Sequence, residues 1–507
     1  MNGNAAIPLA MLAVALVAVV MGYLVASPLA LPTLAVTAAI PGVLLLPLVL
    51  RWHHVALIFS WNAALIFMFL PGQPALWIVV AFLSLGASVV TRTLSRGATI
   101  HFVRSVGWPL VVLTLVVLVT VLFRGGFGGR ALGSEMWGGK RYLGVLAAVV
   151  GFFALTARVI PREKAVWYGG MFFLTGTTAI FSDVAFALGR KFYFLYSIFP
   201  SDVAFHQATT QSTLQRYTGV AVAAQALFCY ALVRHGVGGV MDFSRPWRPV
   251  LFMLVGASAM FGGFRSSVIL LFILFWVQFF LEGLHRSKLL VVMLLGLGLL
   301  SAGVVGFVDR LPLSVQRSLS FLPLNVDPTA RHDALGTFDW RLQMWRVVIP
   351  EVPQYLLLGK GYGYSGMDYW LTQEAVRRGM VTAYEDTLVS GNYHNGFLTL
   401  IIPFGLAGFL AFVWFCAAAI RLLVRNYRHG DPELRKLNTF LLTYFVGRLF
   451  FYTVFYGQFD LDLMVFTGVV GLSLAANRGR AVGVAAPARR LPAAVAVRVP
   501  AVSAVAA

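Results

Sequence analysis

The chain has 507 residues, 59% hydrophobic and 11% charged, with a mean hydropathy of +0.82. So little polar surface cannot cover a soluble globule of this size, which excludes a soluble enzyme and points to a polytopic membrane protein. The excess of 39 Lys and Arg over 19 Asp and Glu flanks the apolar runs instead of forming a soluble basic face, which argues against nucleic acid as a partner.

Apolar runs of roughly 16 to 23 residues recur along the chain, each close to the length that crosses a hydrocarbon core as a helix. They are continuous, not alternating, so a spanning β-barrel is disfavoured. Spans are predicted over 6–26, 28–50, 55–70, 75–90, 108–123, 142–157, 166–188 and 217–233, then 250–263, 266–281, 289–308, 395–420, 439–455 and 463–476. Several neighbours are short or broken by Pro and Gly, so the expected fold is an all-α bundle of roughly 12 to 14 spans, even in number. No Lys or Arg precedes Arg51, so the first run lacks the positive flank of a cleaved signal peptide and reads as a retained span. Cys229 and Cys416 both fall inside apolar runs and read as small hydrophobes.

Basic residues set the expected orientation. With the N-terminus cytoplasmic, the inside connections collect Arg51, Arg92, Arg96, Arg104, Arg158, Arg162, Lys164, Arg234, Arg245, Arg248, Arg286 and Lys288, together with 421–436 and the tail. The opposite face then carries the longest connection, residues 309–393, and two shorter basic loops, 124–141 (RGGFGGRALGSEMWGGKR) and 190–216. Basic short loops on that face suggest either an anionic ligand or side chains snorkelling to the interface. Residues 1–476 are expected to form one membrane domain. The Ala-, Val-, Arg- and Pro-rich stretch 477–507 reads as a disordered cytoplasmic tail.

Arg265, in GGFRSSV, stands at the boundary between two apolar runs, where a charge usually faces a cavity or a partner. Arg341 and Arg346 fall in a predicted amphipathic helix over 338–349. Its Trp340, Met344 and Val348 share one side, expected to lie on the bilayer surface or against the bundle. Gly361, Gly363 and Gly366 spell G-x-G-x-x-G, but no strand and βαβ unit surrounds them, so a dinucleotide site is rejected. A turn re-entering the bundle, or one that lets backbone approach a sugar or phosphate, remains. Asp460 and Asp462 form a D-x-D that reads as a polar turn before a metal site, and no His/Cys cluster has metal spacing. Arg448, within a span, needs a partner, for which Asp183 is one candidate. His394 sits where the long loop meets the next span. With Asn392 as N-cap, it would lie in the first helical turn, where the positive helix end favours the neutral imidazole that a general base requires.

The order FRSS, DWRLQMW, GKGYGYSG, HNGFLTLIIPFGLAGFL resembles the O-antigen ligase and polymerase superfamily of bacterial inner-membrane proteins, over residues 250–424. The resemblance implies a GT-C-like glycosyltransferase of the bacterial inner membrane, with both termini cytoplasmic and short helices in its long periplasmic loop. Such an enzyme takes a glycan from an undecaprenyl-diphosphate-linked donor, without metal, cofactor or nucleotide sugar. The acceptor would be another glycan, for a polymerase, or lipid A core, for a ligase. It further implies that His394 is the essential histidine and that Arg265 and Arg341 are the two functional arginines that hold the diphosphate. The chemistry agrees: inverting displacement of a diphosphate needs one base, no catalytic acid, and fixed cations for the leaving group. The competing reading is a lipid-linked oligosaccharide flippase or other secondary transporter, which should have two similar halves; no internal repeat is visible.

Overall fold

The computed structural model describes residues 47–477 apart from 69, 71, 95–101, 129–132, 202–215 and 383, together with a few positions between 11 and 22. Most of the predicted runs 6–26 and 28–50, and the tail from 478 onward, lie outside the described residues. Within them the chain is almost wholly helical, with nine helices long and apolar enough to cross a membrane and two shorter apolar ones.

Following a helix over 47–60, the spans are α1 (Leu76–Leu94), α2 (Arg104–Arg124), α3 (Gly139–Thr156), α4 (Arg162–Leu174) continuing through a 3-10 turn into α5 (Ile180–Leu188), and α6 (Thr218–Val240). The short pair α7 (Trp247–Ser258) and α8 (Arg265–Leu281) comes next, then α9 (Leu289–Phe307). The connection that follows is not a plain loop. It folds as α10 (Leu313–Leu319), α11 (Pro328–Val348), α12 (Val352–Tyr355), α13 (Gly366–Arg377) and α14 (Glu385–Ser390). The bundle closes with α15 (Leu398–His429), α16 (Arg435–Val454) and α17 (Phe459–Ala476).

Burial ranks the spans. α17 packs along α3 and is the most enclosed, whereas α9 has no buried residue and turns its Leu and Val side chains outward all round. A helix apolar on every side yet unburied is compatible with lipid as its surroundings.

Two local features position the site. α11 starts ten residues earlier than the predicted helix over 338–349, because Asp327 accepts a hydrogen bond from the Thr329 N–H as N-cap and Pro328 occupies the first turn. The Trp340–Met344–Val348 side does not lie on a bilayer surface; it packs with Tyr393, Leu398 and Ile402 in a satellite core. Of the two locations its spacing allowed, the bundle is the one observed.

The second feature is a break in α15. Pro403 lacks an N–H and Gly405 sits at φ +63°, so the helical ladder is interrupted inside a span. The glycine-rich stretch of the loop repairs it. Lys360 N–H donates to Ile402 O (2.7 Å), Gly361 N–H to Pro403 O (3.0 Å), and Leu406 N–H to Leu356 O (2.7 Å). Broken backbone at membrane depth is tolerated where other protein backbone satisfies it, as here. Gly359 and Gly361 also have positive φ, and a Cβ on Gly361 would come within 2.5 Å of the Tyr142 hydroxyl. The turn is then tied to the end of α2 and to α3. Arg124 Nε donates to Gly359 O (2.9 Å), Tyr362 N–H donates to the Tyr142 hydroxyl (2.7 Å), and a two-residue antiparallel pair joins β1 (Met136–Trp137) to β2 (Tyr364–Ser365). The G-x-G-x-x-G stretch is therefore a plug that packs into the bundle, in keeping with the re-entry reading; the backbone N–H groups of Lys360, Gly361 and Tyr362 are already bonded to protein.

Candidate functional site

His394 lies outside the helix that follows it. α15 begins at Leu398, and the cap is Asn395, whose side-chain oxygen accepts from the Phe397 (3.0 Å) and Leu398 (3.2 Å) N–H groups. Asn392 is not the N-cap, and His394 is not in the first turn. Instead it takes φ +50°, one of two non-glycine residues with positive φ among the described residues, the other being Gln73. That conformation costs roughly 1–2 kcal/mol for an L-residue, so the surroundings must hold it. Trp345 Nε1–H donates to Tyr393 O (2.8 Å), Asn392 N–H donates to Thr387 O (3.0 Å), and Gly391 supplies another positive φ (+69°).

The imidazole is walled by two aromatic rings, Trp340 from α11 and Tyr456 from the α16–α17 connection, each with its centroid 5.2 Å away. Its Nδ1 is buried without a hydrogen-bond partner. Burial, reinforced by the positive charge of Arg341, lowers the imidazole pKa to about 4. The neutral state anticipated from the sequence has a different cause from the expected helix end: desolvation and a nearby guanidinium.

Arg341 reaches this group through Tyr456, its Cζ lying 5.7 Å from the centre of that ring. Burial lowers its pKa from the usual value, with Arg317 adding to the effect; a guanidinium stays charged regardless. Arg265, the first residue of α8, donates to Ala334 O (2.8 Å), and lies within electrostatic reach of both Arg317 and Arg341. Among the described residues neither Arg265 nor Arg341 is ion-paired. The structure thus brings all three sequence-predicted residues to one end of the bundle, although they come from α8, α11 and the turn before α15.

Two further arginines join them. Arg317 of α10 is 4% exposed and donates to Gly263 O and to Asp333; Arg216 reaches the same Asp333 carboxylate at 3.4 Å. Burial works against ionisation of Asp333, but the Arg317 and Arg216 guanidiniums hold it below the usual carboxylate range. Arg317, Arg216 and Arg265 all act on Asp333, and Arg341 lies within electrostatic reach of Arg265 and Arg317, so guanidiniums gather on the side of the site that also holds His394. Sequence reading flagged Arg216 only as part of a basic loop and missed Arg317, whose short helix LSVQRSL has no composition that distinguishes it.

The remaining candidates are consumed by protein. Asp460 accepts from Arg141 (3.1 Å) and Asp462 from Arg448 (2.7 Å), so each carboxylate of the D-x-D, in the first turn of α17, is held by its own arginine. Arg448 pairs with Asp462 and not with Asp183, which accepts from the Val220 N–H (2.7 Å). Among the described residues no group of three or more His, Cys, Asp or Glu side chains is placed to hold a metal.

This site falls within a recognisable stretch of the chain. Residues 250–413 match the model of the O-antigen ligase family. No curated protein matches the chain. The O-antigen ligase match supports the superfamily resemblance and covers Arg265, Arg317, Arg341, the glycine turn and His394, whereas Arg141, Arg216, Tyr456 and Asp460 lie outside it. The match suggests membrane glycosyl transfer in polysaccharide biosynthesis, and the nine long apolar helices among the described residues suggest a multi-pass membrane protein.

Proposed function

We propose that the protein is a metal-independent, inverting glycosyltransferase of the bacterial inner membrane. It transfers a glycan from an undecaprenyl-diphosphate-linked donor on the periplasmic face, as a polysaccharide polymerase or an O-antigen ligase. The single observation that carries this reading is a neutral, partly buried imidazole beside Arg341, which in turn lies within electrostatic reach of Arg265; among the described residues neither guanidinium is ion-paired. His394 takes the proton from the acceptor hydroxyl as that oxygen attacks the anomeric carbon. The bond from that carbon to the diphosphate oxygen breaks, and the electron pair leaves with undecaprenyl diphosphate. Arg265 and Arg341 stabilise the charge that develops on the leaving oxygens, and their fork geometry suits a diphosphate without proton donation. Donor binding also offsets the Arg341 charge that adds to burial in lowering the basicity of the imidazole.

The test is transfer by purified protein supplied with a lipid-diphosphate glycan. His394→Ala is expected to reduce product by about 10²–10⁴-fold while leaving membrane insertion intact. Normal transfer by that variant would remove His394 as the base. Release of undecaprenyl diphosphate distinguishes transfer from the flippase reading, in which the donor crosses a bilayer unchanged.

A further inference from the structure

The first turn of α3 carries an arginine whose side chain is almost enclosed, Arg141, with 14% of its side-chain surface exposed. Its Nη1 donates to Ser390 O (2.7 Å), the last residue of α14. Its Nη2 donates to Asp460 Oδ1 (3.1 Å) at the start of α17, and its guanidinium carbon lies 4.0 Å from the centre of the Tyr362 ring. One side chain therefore touches three chain segments that are distant in sequence. The segment beginning at Ser390 is the one that matters: Gly391 follows at φ +69°, then Asn392, Tyr393 and His394 at φ +50°.

We infer that Arg141 is a positioning residue for His394, fixing the end of α14 to Asp460 so that the strained turn presents the imidazole between Trp340 and Tyr456. The inference rests on the reading of His394 as the base, and it gives the basic loop 124–141 a task. The turn has two anchors of different kinds. Trp345 holds Tyr393 O from the loop side, and Arg141 holds Ser390 O from the membrane bundle. Without the second, the end of α14 keeps the packing of Leu388 on the satellite core and the local Asn392–Thr387 and Gly391–Leu388 hydrogen bonds, but no hydrogen bond from Ser390 O to the bundle. A six-residue helix has little stability of its own, so the positive φ at His394 is free to relax. Lysine at 141 retains the charge towards Asp460 but cannot reproduce the two directed N–H bonds of the fork.

The experiment measures the rate at which diethyl pyrocarbonate modifies each histidine of the full-length protein, by peptide mass spectrometry, in wild type, Arg141→Gln and Arg141→Lys. Transfer kinetics are measured alongside. His53 and His54, buried in the bundle and bonded to Ser84 and Leu155 O, report unfolding. The expected result is faster modification of His394 alone in Arg141→Gln. The kcat is expected to fall by about 10²-fold with the donor KM little changed, the signature of a misplaced base. Arg141→Lys is expected to show the same pattern more weakly, and if all three histidines become reactive in the glutamine variant, the lysine variant is the one scored. Unchanged His394 reactivity in a variant that keeps His53 and His54 protected overturns the inference, whatever the activity. Release of His394 in a protein whose wild type transfers no glycan upholds the positioning and overturns the proposed function instead. An active wild type whose Arg141 variants leave His394 protected does the reverse.

Discussion

At the scale of single residues, the imidazole's low pKa has a measurable sign. A base whose conjugate acid titrates near 4 is fully deprotonated at pH 7 and loses activity only as the pH approaches 4. The acid limb of kcat/KM, which reports the free enzyme, is therefore expected near 4 and not near the ordinary imidazole value of about 6.5. The limb of kcat, which reports the complex with an anionic donor bound, is expected higher, because the diphosphate offsets Arg341. Coincident limbs near 6.5 would mean that His394 is solvated and not held as described. By linkage, the folded protein binds fewer protons at His394 than the unfolded chain between about 4 and 6.5, so this residue makes stability fall as pH drops through that window. For the arginines, Arg341→Lys replaces a fork with a point charge. Transfer is expected to drop by about tenfold or more, as for loss of one charge-assisted hydrogen bond of roughly 1.5–3 kcal/mol, read from kcat/KM with the lipid-linked donor. Arg265 and His394 were legible in the sequence because an ionisable residue beside an apolar run is conspicuous, and Arg341 because it falls in an amphipathic helix that the superfamily resemblance singles out. Arg317 was not, since nothing about a basic residue in a long polar connection marks it as buried.

At the scale of elements, the break in α15 carries the site. Residues 355–361 supply partners for the backbone that Pro403 and Gly405 leave unsatisfied, so the long connection and the span cannot move independently. A Cβ on Gly405 would come within 2.6 Å of Leu356 O, and the residue sits at φ +63°. Gly405→Val is expected to destabilise the protein by about 1–3 kcal/mol or more, visible as a lower thermal midpoint in detergent and a larger aggregated fraction. An unchanged midpoint would imply that the plug is dispensable. The cap of α15 is subtler. Asn395→Ala removes the acceptor for two N–H groups directly after His394, at an expected cost of about 1 kcal/mol. The glycines and the proline of this region were visible as punctuation in the sequence. That they repair one another was not, because the partners are 42 to 50 residues apart and hydrogen bonds of this kind follow no periodicity.

At the scale of the whole molecule, three packed regions meet at the site. The main bundle core supplies Arg141 and Asp460, the cluster around Val308 and Val315 supports Arg317, and the cluster of Met344, Tyr393 and Ile402 supports Arg341 and His394. Such an arrangement predicts an asymmetric enzyme with one site. With both termini cytoplasmic, the 309–393 connection would lie outside. Single cysteines at the exposed Met367 and Trp370 are then expected to react with a membrane-impermeant maleimide added to intact spheroplasts. Protection until the membrane is broken would reverse the assignment of faces.

The sequence by itself determined the class of molecule and the position of most helices, because crossing a bilayer is a matter of local length and hydropathy. The helices over Arg104–Arg124, Gly139–Thr156 and Phe459–Ala476 follow the predicted runs closely. With the superfamily resemblance it also singled out His394, Arg265 and Arg341, since the order of the motifs that hold them is legible along the chain. Only the tertiary structure decided who meets whom: Arg448 with Asp462, Arg141 with Asp460 across 319 positions, Arg317 and Arg216 on one aspartate. Pairing of charges depends on how helices pack in three dimensions, and a one-dimensional pattern of hydropathy carries no information about which polar side chains share an end of the bundle.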